Sequence, residues 1–285
     1  MMISPVRPLT IRNHDRDLAG LTYVYPVLSR RAGGVSIGIN LNPNNACNWH
    51  CAYCQVPDLV RGKAPVIDLA QLEQELGGFL DDLVHGDWLQ RHAPEGMRTI
   101  RDLAFSGNGE PTSAAVFPEA VELAVRLRER AGLGSEVPIR LITNGSLIAQ
   151  EHVQQGVRAL GEAGGEVWFK VDAGTAEAMA RINGVRMEPA VVAKHLALSA
   201  SLCPTWVQTC MFRWDGTPPS GRELAAYLDV LTAAGVDTLQ GVLLYGLARP
   251  SMQVEASHLT ALAAEELEAL AARIREKGLT VRVSP

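Results

Sequence analysis

The chain has 285 residues, 47% of them hydrophobic and 20% charged, with a formal net charge of −5. This is ordinary globular composition, long enough for one large or two small domains. No apolar stretch approaches the roughly 20 residues that span a bilayer, so no membrane partner is expected. The acidity argues against a general attraction to nucleic acid. The cysteine count is five, an odd number with three clustered, which argues against a secreted disulfide framework and for a reducing cytoplasm.

Residues 1–34 read as an irregular lead-in without a signal-like apolar core, carrying one apolar piece from Leu21 to Leu28. Strands and helices then alternate over a single expected domain, 35–285. Val35 to Leu41 is a strand that delivers a cysteine loop, and Asp68 to Val84 is a helix with Asp68 as its N-cap. Strands Ile100 to Phe105, Ile139 to Ile142 and Glu166 to Val171 alternate with helices Pro118 to Ala131, Ala149 to Ala163 and Pro189 to Ala200. Trp206 to Phe212 and Thr238 to Tyr245 are strands followed by helices Arg222 to Ala234 and Ala263 to Lys277, with a last short strand from Leu279 to Val283. Strict βα alternation implies a parallel sheet with right-handed crossovers. Six units are too few for a closed eight-stranded barrel, so the expected fold is α/β, a partial (β/α)6 barrel with an open parallel sheet and outer helices.

Ligands of such folds bind at the carboxyl ends of the strands, and the unusual motifs of this chain follow strands. The first is Cys47-Asn-Trp-His-Cys51-Ala-Tyr53-Cys54, three thiols within eight residues. Thiolates suit iron–sulfur clusters, whereas a closed zinc site wants four ligands and none is paired with these three in sequence. The second strand ends in Ser-Gly107-Asn108-Gly109-Glu110-Pro111. Its glycines permit close backbone approach, and Pro111 holds Glu110 extended; a third glycine and an immediate helix, required of a dinucleotide fingerprint, are missing. Thr143-Asn144-Gly145 ends the third strand and is also a common turn signal. On the fourth strand Lys170 and Asp172 share a face, where charge is costly unless paired or bound. Gln208 and Cys210 share a face of the fifth strand; Gln240, Tyr245 and Arg249 belong to the sixth strand and its loop. These are candidate substrate-facing residues, against the plainer readings of packing for Cys210 and solvation for Arg249.

The cysteine run resembles the radical SAM superfamily signature, C-x3-C-x-Φ-C, with Tyr53 as the aromatic Φ. The resemblance implies a [4Fe–4S] cluster on Cys47, Cys51 and Cys54, with its fourth iron chelated by S-adenosylmethionine. It implies reductive cleavage of that cofactor to methionine and a 5′-deoxyadenosyl radical that abstracts hydrogen from a substrate. It further implies that Gly107, Asn108, Gly109 and Glu110 receive the cofactor's amino group, in a variant of a Gly-Gly-Glu motif. Thr143 and Asn144 would contact its ribose or carboxylate, Lys170 its carboxylate, and Asp172 the cofactor or substrate. Tyr53 would lie beside the cofactor, and Gln208, Cys210, Tyr245 and Arg249 are the candidates for catalysis.

Within the superfamily, SGNGEPT, KVDAGT and QTCMF look like stand-alone relatives of wyosine-type tRNA-modifying enzymes. The expected substrate is nevertheless a small molecule, peptide or protein, because the chain lacks a second cysteine cluster and is acidic. An RNA-modifying member would need a basic rim from Arg30, Arg31, Arg61 and Lys63. A glycyl-radical enzyme activase and a zinc-binding non-enzyme are the other readings carried. The implied partner is a reducing electron donor of flavodoxin or ferredoxin type.

Overall fold

A computed structural model describes residues 9–10, 19–29 and 33–285. Most of the lead-in, including Arg30 and Arg31, lies outside the described residues. Strand β1 (Val24–Ser29) runs antiparallel to β2 (Gly34–Ile39). The cysteine loop follows and contains only one two-residue pairing, β3 (Ala46–Cys47) with β4 (Val60–Arg61). Helix α1 (Leu69–Val84) is capped by Asp68, whose carboxylate accepts from the backbone N–H groups of Ala70 and Gln71 at 3.0 Å. After the short α2 (Trp88–His92) come β5 (Ile100–Phe105), α3 (Phe117–Arg130), β6 (Ile139–Thr143), α4 (Glu151–Glu162) and β7 (Glu166–Lys170). Helices α5 (Ala176–Asn183) and α6 (Pro189–Leu202) lead to β8 (Thr205–Cys210) and β9 (Phe212–Trp214). The chain ends with α7 (Gly221–Ala234), β10 (Gly241–Tyr245), β11 (Leu259–Ala261), α8 (Ala264–Arg275) and β12 (Val281–Ser284).

One eight-stranded sheet holds the fold, ordered β1-β2-β5-β6-β7-β8-β10-β12. Every pairing after β1 is parallel, and the strands follow chain order without reversal. Helices α1, α3, α4, α6 and α7 likewise touch one another in chain order. The result is the expected open partial barrel, curled with helices around it and with β1 and β12 as its edges. Its core runs between sheet and helices. Phe105 on β5 and Phe117 on α3, both fully buried, meet edge to face at 5.9 Å.

Four local readings differ. The Leu21–Leu28 piece contributes β1, which the sequence disguised with Pro26; an edge strand tolerates proline because one side of it needs no ladder donor. Phe212 leaves the sheet, since β8 ends at Cys210 and Phe212 starts β9, which pairs with β11. Gln240 is exposed and precedes β10, so it stands at the amino end of that strand, opposite the expected site. Helix α5 went unread because it has only eight residues, although Thr175 caps its start and Gly184, at a φ of 66°, its end.

Phe117→Ala should destabilise the chain by about 3–5 kcal/mol, the range for truncating a buried aromatic ring. Urea unfolding checks this. A loss below about 1 kcal/mol would show that α3 is not locked to β5 through this pair.

Candidate active site

The cysteine loop has almost no regular structure, so side chains must define its shape. Asparagines do this on one flank. Asn40 Oδ1 accepts from the backbone N–H of Asn42 at 3.0 Å and of Asn108 at 3.2 Å. Asn42 Nδ2 donates to the Ala46 carbonyl at 3.0 Å, and Asn108 Nδ2 donates to Asn45 Oδ1 at 2.5 Å. Asn48, between the first two cysteines, accepts from Asn144 Nδ2 and donates to Ser146 Oγ, both at 2.8 Å. The loops after β5 and β6 are thus tied directly to the cysteine loop. Gly109 is required for that approach, because a Cβ there would lie 2.0 Å from the Ala46 carbonyl oxygen.

The opposite flank is held by α5 and by the loop after β10. His50 N–H donates to the Asn183 carbonyl at 3.0 Å, and Ala52 N–H to the Ile182 carbonyl at 2.7 Å. Arg61 spans the carbonyls of Asn48, at 2.9 Å, and Gly184, at 2.5 Å. From above, Ser251 Oγ donates to the Ala52 carbonyl at 2.6 Å and Met252 N–H to the Cys54 carbonyl at 2.9 Å. Gln253 Nε2 donates to the Val56 carbonyl at 2.8 Å.

Cys47, Cys51 and Cys54 are half-buried and form no disulfide. Trp49 N–H points at Cys47 Sγ, 3.5 Å away, and Asn183 Nδ2 at Cys51 Sγ, 3.3 Å away. Burial pushes the Cys47 and Cys51 thiols up to about 12, so a metal group must displace their protons when it binds. Among the described residues no three His, Cys, Asp or Glu side chains gather about one point as a single ion requires. A cluster sets each thiolate on a different iron and does not need that geometry. Three unpaired thiols with N–H donors on two sulfurs are a donor set that fits an iron–sulfur cluster.

Two buried carboxylates sit beneath the loop. Glu110 is extended before Pro111, as expected, and its side chain turns inward. Its Oε1 accepts from the hydroxyls of Thr112 and Thr143, each at 2.6 Å, and Oε2 accepts from Asn144 N–H at 2.7 Å. Burial raises its carboxyl above the ordinary range, opposed by these bonds. Asp172 Oδ2 accepts from Tyr53 Oη at 2.5 Å and from Asn183 Nδ2 at 2.8 Å, while Oδ1 accepts from Cys210 N–H at 2.9 Å. Lys170 Nζ donates to Tyr245 Oη at 3.1 Å and lies 4.9 Å from the Tyr53 ring centre. Burial works against its charge, but the bond to Tyr245 and the nearby Asp172 carboxylate act in the other direction and raise the ammonium above its ordinary range.

The structure therefore brings Tyr53, Gly107 to Glu110, Thr143, Asn144, Lys170 and Asp172 around the three cysteines. Lys170 pairs in register with Gln208, and Cys210 with Tyr245, so these four occupy neighbouring strand ends. Arg249 belongs to the loop that continues into the Ser251 clamp, whereas Lys63 is exposed. A cavity of about 310 Å³ adjoins the carboxyl ends of β7 and β8, where Asp172, Cys210, Phe212 and Trp214 meet α5 and α7. Asn40, Asn42, Asn48, Asn183, Ser251 and Gln253 were not singled out from the sequence. The signal for the first three was present: five asparagines between residues 40 and 48.

No protein-family model matches the chain. Among curated proteins, it is 30% identical over 139 residues to UPF0026 protein MJ1312 of Methanocaldococcus jannaschii, across 46% of this chain and 36% of that protein. It is 24% identical over 129 residues to a protein named GTPase Obg of Brachyspira hyodysenteriae, across 45% of this chain and 16% of that one. The chain thus spans well under half the length of these curated relatives. It contains no Gly-x4-Gly-Lys-Ser/Thr segment, the phosphate loop that a GTPase reading would call for. Among solved structures, a radical SAM methyltransferase from Sphaerobacter thermophilus superimposes with a TM-score of 0.59 at 15% identity, covering 98% of this chain and 78% of that one. The fold is that of the radical SAM enzymes.

Glu110→Gln would set an amide N–H₂ against one of the donors that now converge on the carboxylate. It should cost about 1–3 kcal/mol in urea unfolding, the range for a buried group left with an unmatched partner. An unchanged midpoint would show that Glu110 does not hold the Thr143-Asn144 turn.

Proposed function

We propose that this chain is a radical SAM enzyme. The observation that carries the reading is the set of three unpaired thiols on one loop, two of them with N–H groups aimed at sulfur, ringed by the ends of successive parallel strands. Loaded with a [4Fe–4S] cluster and S-adenosylmethionine, such a site supplies one-electron cleavage of the cofactor's carbon–sulfur bond and hence abstraction of a substrate hydrogen.

The chain's own residues divide into holders and contacts. Cys47, Cys51 and Cys54 would hold the cluster. Lys170 is suited to the cofactor's carboxylate, since its ammonium is charged, stacked between Tyr53 and Tyr245 and bonded only to a hydroxyl. The backbone from Gly107 to Glu110 would face the cofactor's amino group, with Gly109 pressed onto the cysteine loop. The Thr143 and Asn144 side chains are spent on Glu110, Asn48 and Ser146, and the Asn144 N–H on Glu110 as well, so a ligand contact at this turn would fall to a main-chain carbonyl. Asp172 acts through Tyr53, which it anchors. Gln208, Cys210, Tyr245 and Arg249 remain for the substrate, taken here as a small molecule, peptide or protein. Of the residues a basic RNA-binding rim would need, Arg61 and Lys63 are exposed, and the Arg61 guanidinium also bonds two loop carbonyls. The electron would come from a flavodoxin- or ferredoxin-type donor in a reducing cytoplasm.

Anaerobic reconstitution with iron and sulfide tests the reading. It should give a brown protein with about four irons per chain that makes 5′-deoxyadenosine from S-adenosylmethionine under a strong reductant. Cys47→Ala, Cys51→Ala or Cys54→Ala should abolish both. A colourless wild-type chain that releases no 5′-deoxyadenosine sinks the proposal. Lys170→Met should weaken S-adenosylmethionine binding about tenfold, or about 1.4 kcal/mol, in equilibrium dialysis of the reconstituted protein. An unchanged affinity would remove Lys170 from that role.

A further inference from the structure

Asn183 is 1% exposed, and its amide has one defined orientation. Nδ2 faces two acceptors, Cys51 Sγ at 3.3 Å and Asp172 Oδ2 at 2.8 Å, and each takes one of its two hydrogens. A flipped amide would turn its oxygen onto a carboxylate and a sulfur, which fixes the assignment. The residue is also held through its main chain, where its carbonyl accepts from His50 N–H at 3.0 Å. Asn183 closes α5 and is followed by Gly184, whose left-handed conformation brings the helix end against the cysteine loop.

Hydrogen bonds to the sulfurs are one of the levers that set the potential of an iron–sulfur cluster. Reduction adds negative charge that spreads onto the thiolates, so an N–H donor there favours the reduced state, and more so in a buried site. The donor on Cys47 belongs to the Trp49 main chain, which no side-chain substitution removes. The donor on Cys51 belongs to a side chain, and that side chain is oriented by Asp172, which is itself bonded to Tyr53 and to Cys210 N–H on β8.

We infer that Asn183 is a positioning residue that raises the reduction potential of the cluster through its bond to Cys51 Sγ, with Asp172 holding the amide in place. The inference rests on the radical SAM reading, yet it can fail separately from it. Asn183→Leu removes the donor and keeps the branched four-atom shape of the side chain. Ser251→Ala loosens the same loop at Ala52 and Cys54 without touching a sulfur. Both are reconstituted beside the wild type, their iron is counted, and the cluster is titrated against potential by electron paramagnetic resonance.

The expected result for Asn183→Leu is full iron loading with about a threefold lower reduced-to-oxidised ratio at fixed potential. That is a shift of about 28 mV to more negative values at 59 mV per tenfold for one electron. Ser251→Ala should leave the potential where it is. An unmoved Asn183→Leu potential overturns the inference, and so does an equal shift in both variants, which would assign the effect to the loop. Should Leu fail to hold four irons, Asn183→Gln is read in its place because it keeps the amide. Loading near the wild-type potential then supports the inference, and failure to load or a lowered potential overturns it. A wild-type chain that takes up no cluster would instead sink the functional reading itself.

Discussion

The bond network on the Asp172 carboxylate is the constraint on which the site depends. A buried carboxylate is costly unless every lone pair finds a donor. Here the donors come from three separate parts of the chain: Tyr53 in the cysteine loop, Asn183 at the end of α5, and the Cys210 main chain on β8. Satisfying one desolvated group therefore requires that all three be in register at once. The loop has no ladder of its own beyond the β3–β4 pair, so this requirement substitutes for secondary structure.

Glu110 repeats the device on the other side. Its acceptor oxygens draw in Thr112, Thr143 and Asn144, and Asn144 passes the connection to Asn48 between the first two cysteines. Both carboxylates are satisfied by hydroxyls and N–H groups, not by cations. Lys170 keeps its charge between aromatic faces that tolerate an ammonium without neutralising it.

How much of this was legible follows from the kind of interaction involved. The βα alternation is written in periodic apolar runs and in caps such as Asp68, which are local signals, and the open parallel sheet followed from them. Strand-end motifs were legible because they break those runs. Asn183 and Ser251 were not, since their meaning lies in contacts across more than a hundred residues with atoms of the cysteine loop. Lys170 and Asp172 were legible as a pair on one face, but their opposite fates were not. Lys170 lies between two tyrosine rings and bonds a hydroxyl, whereas Asp172 spends itself on three donors, and only the tertiary arrangement distinguishes them.

The lower half of the barrel lumen is lined differently from the strand ends. Arg140 on β6 bridges Asp102 on β5 and Glu166 on β7, with Ser36 bonded to Asp102 and the Trp168 indole N–H to Glu166. The Arg140 guanidinium lies 4.9 Å from the Trp168 ring centre, and Arg282 lies 4.2 Å from that of Trp206. This layer fills the lumen with groups that already have partners, leaving a recess of only about 200 Å³ beside Arg140 and Arg282. A half-barrel open at its edge would otherwise offer water a path along the whole inner face. Paired charge and stacked rings line its lower part, so the inner face leaves Lys170, Gln208 and Tyr245 at the strand ends beside the cysteine loop.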